Sequence, residues 1–261
     1  MKIAAAQISC VPGDREANLQ KVRENSERAK NAGAELIVFP EMVDTGYSMP
    51  AIREHAAGWN EGAVPELQKM AKELSMAIVC GVSDREGDAI YNAQVLVGPD
   101  GRILAKYRKT HLVTAAPLDE RACFTAGDEF VSCQFDQFNF GLSICYDLRF
   151  PEVCRLLAVK HQVNVFLISS AWPAVRVAHL QYLARARAVE NQSYLIVANR
   201  VGRDDDVLLG GSSPIVDPAG EILASGSLKD EQLLTGEISR EVIDPIRDHM
   251  KVFDHRRPEL Y

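Results

Sequence analysis

The chain has 261 residues, 47% of them hydrophobic and 25% charged, with a formal net charge of -7. That composition provides for a sizeable core and excludes general disorder, while the acidic balance speaks against a nucleic-acid binder and for a soluble protein acting on small molecules. No apolar run approaches the ~20 residues of a membrane span, and no CxxC pair or tight Cys/His cluster points to a zinc site or a dithiol.

The N-terminal "MKIAAAQISCVPGD" carries one lysine, and Gln7 interrupts its apolar run, so it reads as a first strand rather than a signal peptide. Asp14 to Lys30 is helix-prone, with Leu19, Val22 and Ala29 at helical spacing and Gly33 as a C-cap. "ELIVFPE" follows as a buried strand, Pro65 to Met76 as a helix with Leu67, Met70, Ala71 and Leu74 on one face, and "AIVCGV" as another buried strand. A hairpin is expected where "YNAQVLVG" and "RILAKYR" flank Pro99-Asp-Gly101. The second half repeats the theme: strand "GLSIC", helix Pro151 to His161, strand "NVFLISSAW", helix Val177 to Asn191, strand "SYLIVANR", and a hairpin around Pro218-Ala-Gly220. The two halves thus share an order of elements, without a clear sequence repeat. Buried strands alternating with helices imply sheets covered by helices; two sheets packed face to face with helices outside accommodate the hairpins as well. No linker divides the chain, which is expected to form one domain over residues 1–261. The six cysteines, several inside apolar runs, are expected to be reduced thiols, as in a protein of the cytoplasm.

Polar residues appear where buried runs stop. "LIVFPE" ends on Glu41, "ILAKYRK" on Lys109 and "LSIC" on Cys145, and strand C-terminal ends are where α/β folds collect their chemistry. Each has an ordinary alternative: a solvated carboxylate, a charge run shared with Lys106 and Arg108, and a small core residue. As a set they are chemically coherent. A thiol attacking an amide carbonyl must lose its proton to a base such as Glu41. The resulting oxyanion needs donors, which Lys109 and the backbone N–H of Tyr146 can supply. Such chemistry requires no metal or organic cofactor. A Cys–His pair using His111 is the rival, although no strand-end histidine with an orienting partner is apparent.

Three segments in this order, "LIVFPEMVDTGY", "YRKTHL" and "ICYDLRFPE", resemble the nitrilase superfamily of carbon–nitrogen hydrolases. The resemblance implies a four-layer α-β-β-α sandwich and a Glu-Lys-Cys triad falling on Glu41, Lys109 and Cys145. It also places a second glutamate at Glu120, in "LDERACFTAGD", where Ala126 replaces the usual proline. It implies a homodimer or higher homo-oligomer paired through Pro151 to Lys160 and Val177 to Asn191, faces that serve equally as core. Tyr146-Asp147 after the cysteine is similar to the amidase branches, and "CYDLRFPE", "RAVENQ" and "RRPELY" resemble the ω-amidase and Nit-type amidases of small dicarboxylate amides. N-carbamoyl hydrolases and nitrilases of the superfamily are the alternative activities, and a non-catalytic or redox thiol protein is the alternative class. Tyr47, Tyr146 and Trp172 read either as core or as walls of a substrate pocket. Arg149 reads either as the cation for an anionic substrate or as a bridge holding the loop.

Overall fold

The computed structural model describes residues 1–115 and 118–260. In chain order its strands and helices are β1 (Lys2–Gln7), α1 (Arg15–Asn31), β2 (Leu36–Val38), α2 (Met49–His55), α3 (Ala63–Leu74), β3 (Ala77–Glu86), β4 (Ala89–Val97), β5 (Ile103–Arg108), β6 (Ser132–Phe135), β7 (Phe138–Ile144) and α4 (Pro151–Lys160). They continue as β8 (Val165–Ser170), α5 (Val177–Asn191), β9 (Tyr194–Asn199), β10 (Val201–Asp204), β11 (Val207–Gly210), β12 (Pro214–Val216), β13 (Ile222–Ser225), β14 (Gln232–Glu237) and α6 (Arg240–His249).

The strands form two six-stranded sheets, β14-β1-β2-β3-β4-β5 and β13-β12-β9-β8-β7-β6, with β10 and β11 as a separate ribbon. Read from β14 and from β6, both sheets follow one pattern of pairing: antiparallel, parallel, parallel, antiparallel, antiparallel. The internal two-fold relation expected from the order of elements is therefore also a relation of strand pairing.

Alternation along the strands builds the layers. In the first sheet Ile3, Ala5, Leu36, Val38 and Val79 share a core with Leu142, Leu167 and Ile196 of the second sheet. The intervening Ala4, Ala6, Ile37, Ile78 and Cys80 pack instead against Leu19 and Val22 of α1 and Leu67 and Met70 of α3. The second sheet is covered in turn by α4 and α5 through Val153, Leu157, Leu180 and Ala184. This is the four-layer α-β-β-α sandwich. Polar contacts cross its middle: the Ser169 hydroxyl donates to the Phe39 carbonyl at 2.8 Å and accepts from Gln94 Nε2 at 2.9 Å.

Several boundaries differ from the sequence expectation. The strand read over "ELIVFPE" holds only Leu36–Val38, because Pro40 has no N–H for the ladder and the chain turns away after it. "GLSIC" is the end of a longer strand starting at Phe138, and Cys145 itself has left it. The helix over Pro65 to Met76 starts at Ala63 and ends at Leu74, where Ser75 takes a left-handed cap. Arg108 is not a solvated charge: it is half-buried and paired with Asp84 at 2.6 Å and Glu86 at 2.8 Å, whereas Lys106 is exposed over the Trp59 ring.

One close approach fixes where Glu41 emerges. Gly81 on β3 donates its N–H to the Pro40 carbonyl at 3.0 Å. A Cβ there would stand 2.5 Å from that oxygen and 2.6 Å from Glu41 Cα. Gly81→Ala is therefore expected to destabilise the protein by about 1–3 kcal/mol, as overpacking does. Denaturant unfolding checks this, and an unshifted midpoint would contradict the packing described.

Candidate active site

Glu41, Lys109, Glu120 and Cys145 converge where strands of both sheets end, and all four are buried. Lys109 follows β5, and its Nζ donates to Glu41 Oε1 at 2.9 Å and to Glu120 Oε1 at 2.8 Å, with all three side chains 0% exposed. Two of its three N–H donors are thereby used, and one is left for a substrate oxygen. Burial alone pulls the lysine downward, but the charges of Glu120 and Glu41 outweigh it and hold the ammonium well above the ordinary lysine value.

The carboxylates are anchored by further donors. Glu41 Oε2 accepts the Ala171 N–H at 2.7 Å, and its Oε1 accepts Asn92 Nδ2 at 2.7 Å. Glu120 accepts from the Tyr47 hydroxyl at 2.7 Å, from Asn92 Nδ2 at 3.2 Å and from the Val113 N–H at 2.7 Å. Tyr47 is held from behind, its N–H donating to Asp204 at 2.6 Å, and Asp204 is in a buried ion pair with Arg200 at 2.5 Å.

Cys145 sits at φ +44°, a left-handed conformation rare for any residue with a Cβ. It forms an elbow between β7 and a single 3₁₀ turn (Cys145–Arg149) that leads to Pro151 at the start of α4. Asp147 holds the elbow. Its carboxylate accepts the Ile144 N–H at 2.9 Å and the Tyr107 hydroxyl at 2.7 Å, and meets the His111 N–H and Nδ1 at 3.1 and 2.9 Å. His111 therefore pairs with Asp147 and stacks on Phe150 at 3.9 Å, which accounts for it without the Cys–His pairing considered above. Asp147 ties the turn carrying the cysteine to the turn that follows Lys109.

Burial raises the Cys145 thiol pKa far above its usual value and the Glu41 charge adds to the rise, while Lys109, the Ser170 hydroxyl and the Ala171 N–H oppose it. At neutral pH the resting group is thus a protonated thiol beside a carboxylate base.

Cys145 opens into a narrow cleft lined by Tyr47, Tyr146, Arg149, Trp172 and Arg176 among others. All four residues expected to bind substrate line it. Arg149 lies over the Trp172 ring at 4.6 Å and the Tyr146 ring at 5.9 Å. Among the described residues no group of three His, Cys, Asp or Glu side chains is placed to hold a metal, and no helix is long and apolar enough to cross a membrane.

The chain matches the carbon–nitrogen hydrolase family over residues 2–248. It belongs to that family. As a member it is a hydrolase of carbon–nitrogen bonds. It is 34% identical to the 2-oxoglutaramate amidase of Bacillus subtilis (strain 168), across 97% of this chain and 98% of that protein. It is 30% identical to an omega-amidase of Homo sapiens, across 98% of this chain and 94% of that one. Among solved structures it is similar to the amidase of Nesterenkonia sp. AN1 in the form whose active site cysteine has added acrylamide, with a TM-score of 0.86 and 27% identity, covering 100% of this chain and 98% of that one.

Sequence reasoning overlooked Asn92, Asp147, Ser170, Asp204 and Arg176. Asn92 and Gln94 alternate as polar, fully buried residues within β4, and that alternation was the available signal. Asp147 and Ser170 lie beside strand ends already singled out, whereas Asp204 and Arg176 had no local mark.

The resting protonation predicts how the thiol reacts. A pKa raised by burial and Glu41 means that thiolate forms only above the pH at which an ordinary cysteine ionises. Glu41→Gln removes a charge that raises the pKa, so the pH profile of Cys145 alkylation by iodoacetamide, followed by intact mass, is expected to move to lower pH than in the wild type. A profile that stays put or moves upward would contradict this electrostatic picture.

Proposed function

We propose that this carbon–nitrogen hydrolase is a cysteine-dependent amidase that converts the ω-amide of a small dicarboxylate into the acid and ammonia through a thioester on Cys145. The observation that carries the proposal is Lys109 held between Glu41 and Glu120, with the charges of Lys109 and Glu41 both acting on the thiol at the Cys145 elbow.

Glu41 takes the thiol proton as sulfur attacks the amide carbon. The negative charge growing on the carbonyl oxygen is met by the remaining Lys109 N–H and by the backbone N–H of Tyr146. Protonated Glu41 returns its proton to the leaving nitrogen, ammonia departs, and the acyl group remains on sulfur. Water then attacks the thioester with Glu41 again as base, and the proton passes back to the thiolate as the acid is released. Glu120 keeps Lys109 charged and aimed, and Asn92 and Tyr47 hold the two carboxylates in register.

An ω-amide is favoured because Arg149 lines the cleft and is in no ion pair with a carboxylate among the described residues, its main electrostatic neighbours being Arg176, Tyr146 and Cys145. Burial and Arg176 lower its pKa from the ordinary arginine value, and the charge of an arriving carboxylate offsets both effects. The names of the relatives, 2-oxoglutaramate amidase and omega-amidase, support the same class. Exposed Val175, Tyr182 and Val189 on and beside α5 support pairing with a second copy through α4 and α5, and the free cysteines support a reducing, cytoplasmic setting.

Ammonia release from a panel of ω-amido acids, neutral amides, N-carbamoyl compounds and nitriles tests the proposal. The ω-amido acids are expected to turn over best, and Cys145→Ala is expected to lose on the order of 10³-fold or more in kcat. Retained activity in that variant would remove the nucleophile assignment, and preferential turnover of N-carbamoyl compounds would replace the substrate class.

A further inference from the structure

The cleft holds a second cation that the mechanism above does not use. Arg176 ends the short 3₁₀ turn Ala174–Arg176 that follows Trp172-Pro173, just beyond the end of β8 at Ser170, and it lines the same cleft as Cys145 and Arg149. Its backbone is fixed in three ways. The Trp172 indole donates to its carbonyl at 2.8 Å. Pro173 bridges Leu209, and the Gly210 N–H donates to the Trp172 carbonyl at 3.0 Å. The turn also presses on β11 so closely that a Cβ on Gly210 would stand 2.8 Å from Ala174 Cα. The β10–β11 ribbon therefore serves as a rigid back support for this turn.

Two guanidinium groups thus face one narrow cleft whose other walls include Tyr47, Val113, Leu118 and Pro173. Neither is in an ion pair with a carboxylate among the described residues, and Arg149 has only His179 Nδ1, at 3.4 Å, as a side-chain hydrogen-bond partner. Elsewhere Arg108 is paired with Asp84, Arg187 with Glu190 and Arg200 with Asp204, and the half-buried Arg85 and Arg247 donate to backbone carbonyls. Two like charges in a partly desolvated cleft repel one another, and a single anion between them removes that cost while accepting several charge-assisted hydrogen bonds.

We infer that Arg176 is a specificity-determining residue that, together with Arg149, clamps the free carboxylate of the substrate while its amide end lies at Cys145. This rests on the amidase reading and deepens it. One arginine attracts an anion, whereas two on separate rigid turns fix where the carboxylate sits. They thereby set the distance between carboxylate and scissile amide, which limits the substrate to short ω-amido acids. Neutral amides of equal length forgo both contacts.

The test compares kcat/KM for succinamate and for butyramide in the wild type, Arg176→Gln and Arg176→Lys. The wild type is expected to prefer succinamate. Arg176→Gln is expected to reduce that preference by about tenfold to a hundredfold, the worth of one charge-assisted contact, with most of the loss in KM for succinamate. Arg176→Lys keeps the charge without the fork and is expected to retain an intermediate preference, which separates lost recognition from lost folding. An Arg176→Gln variant with the wild-type preference overturns the inference, and so does a variant that only weakens subunit association, since Arg176 would then pair with another copy. A wild type that hydrolyses both amides without preference overturns it while leaving the amidase reading in place, and a wild type that releases ammonia from no amide overturns both.

Discussion

One ammonium between two carboxylates, all three closed off from solvent, is the constraint on which the rest of the site depends. Removing such charges from water costs several kcal/mol per ion unless geometry and extra hydrogen bonds compensate. Here the compensation comes from far apart in the chain: Glu41 from the end of β2, Lys109 from the end of β5, Glu120 from a loop, and neutral donors from Tyr47, Asn92, Val113 and Ala171. Because Ala171 follows a strand of the second sheet and Lys109 a strand of the first, the cluster is completed only when the two sheets close on one another. Stability of the sandwich and assembly of the site are for that reason one event.

Burial of the thiol next to this cluster has a chemical consequence. Burial first, and then the Glu41 charge, keep the thiol protonated at rest, unlike sites that store a thiolate beside an imidazolium. The proton must leave as the carbon–sulfur bond forms, to a base already in place. The same residue can then protonate the leaving nitrogen, so a single carboxylate serves both halves of the reaction. Asp147 supports this by linking the Cys145 elbow to the turn after Lys109, so nucleophile and cation are tied to one carboxylate.

Much of this was legible because buried parallel strands write long apolar runs, and a polar residue ending such a run is conspicuous. Glu41, Lys109 and Cys145 were marked in that way, although only their resemblance to a family of known order brought them together. Glu120 had no local mark at all, since its role depends on a loop folding back so that Val113 and Glu120 bond each other in both directions. The elements overlooked were those without a strong period. The ribbon of β10 and β11 is short and partly polar, and β14 pairs with β1 from the opposite end of the chain. The helix α6 carries Pro245 in its interior, a residue that argues against a helix until the packing of Ile243 is known. Their omission concealed Asp204, which holds Tyr47, and the support beneath Arg176.

The dependence of the site on balanced charge is tested most directly by a thermal-unfolding cycle of Lys109→Met, Glu120→Gln and the double variant. Removing the lysine alone leaves two carboxylates facing each other in a closed space and is expected to cost about 3–5 kcal/mol, the range for breaking a buried pair. Glu120→Gln is expected to lower stability in the wild-type background and to raise it in the Lys109→Met background, where it removes one of two uncompensated charges. That reversal of sign is the predicted result. Losses that simply add would contradict the account, because they would mean that Lys109 and Glu120 contribute independently.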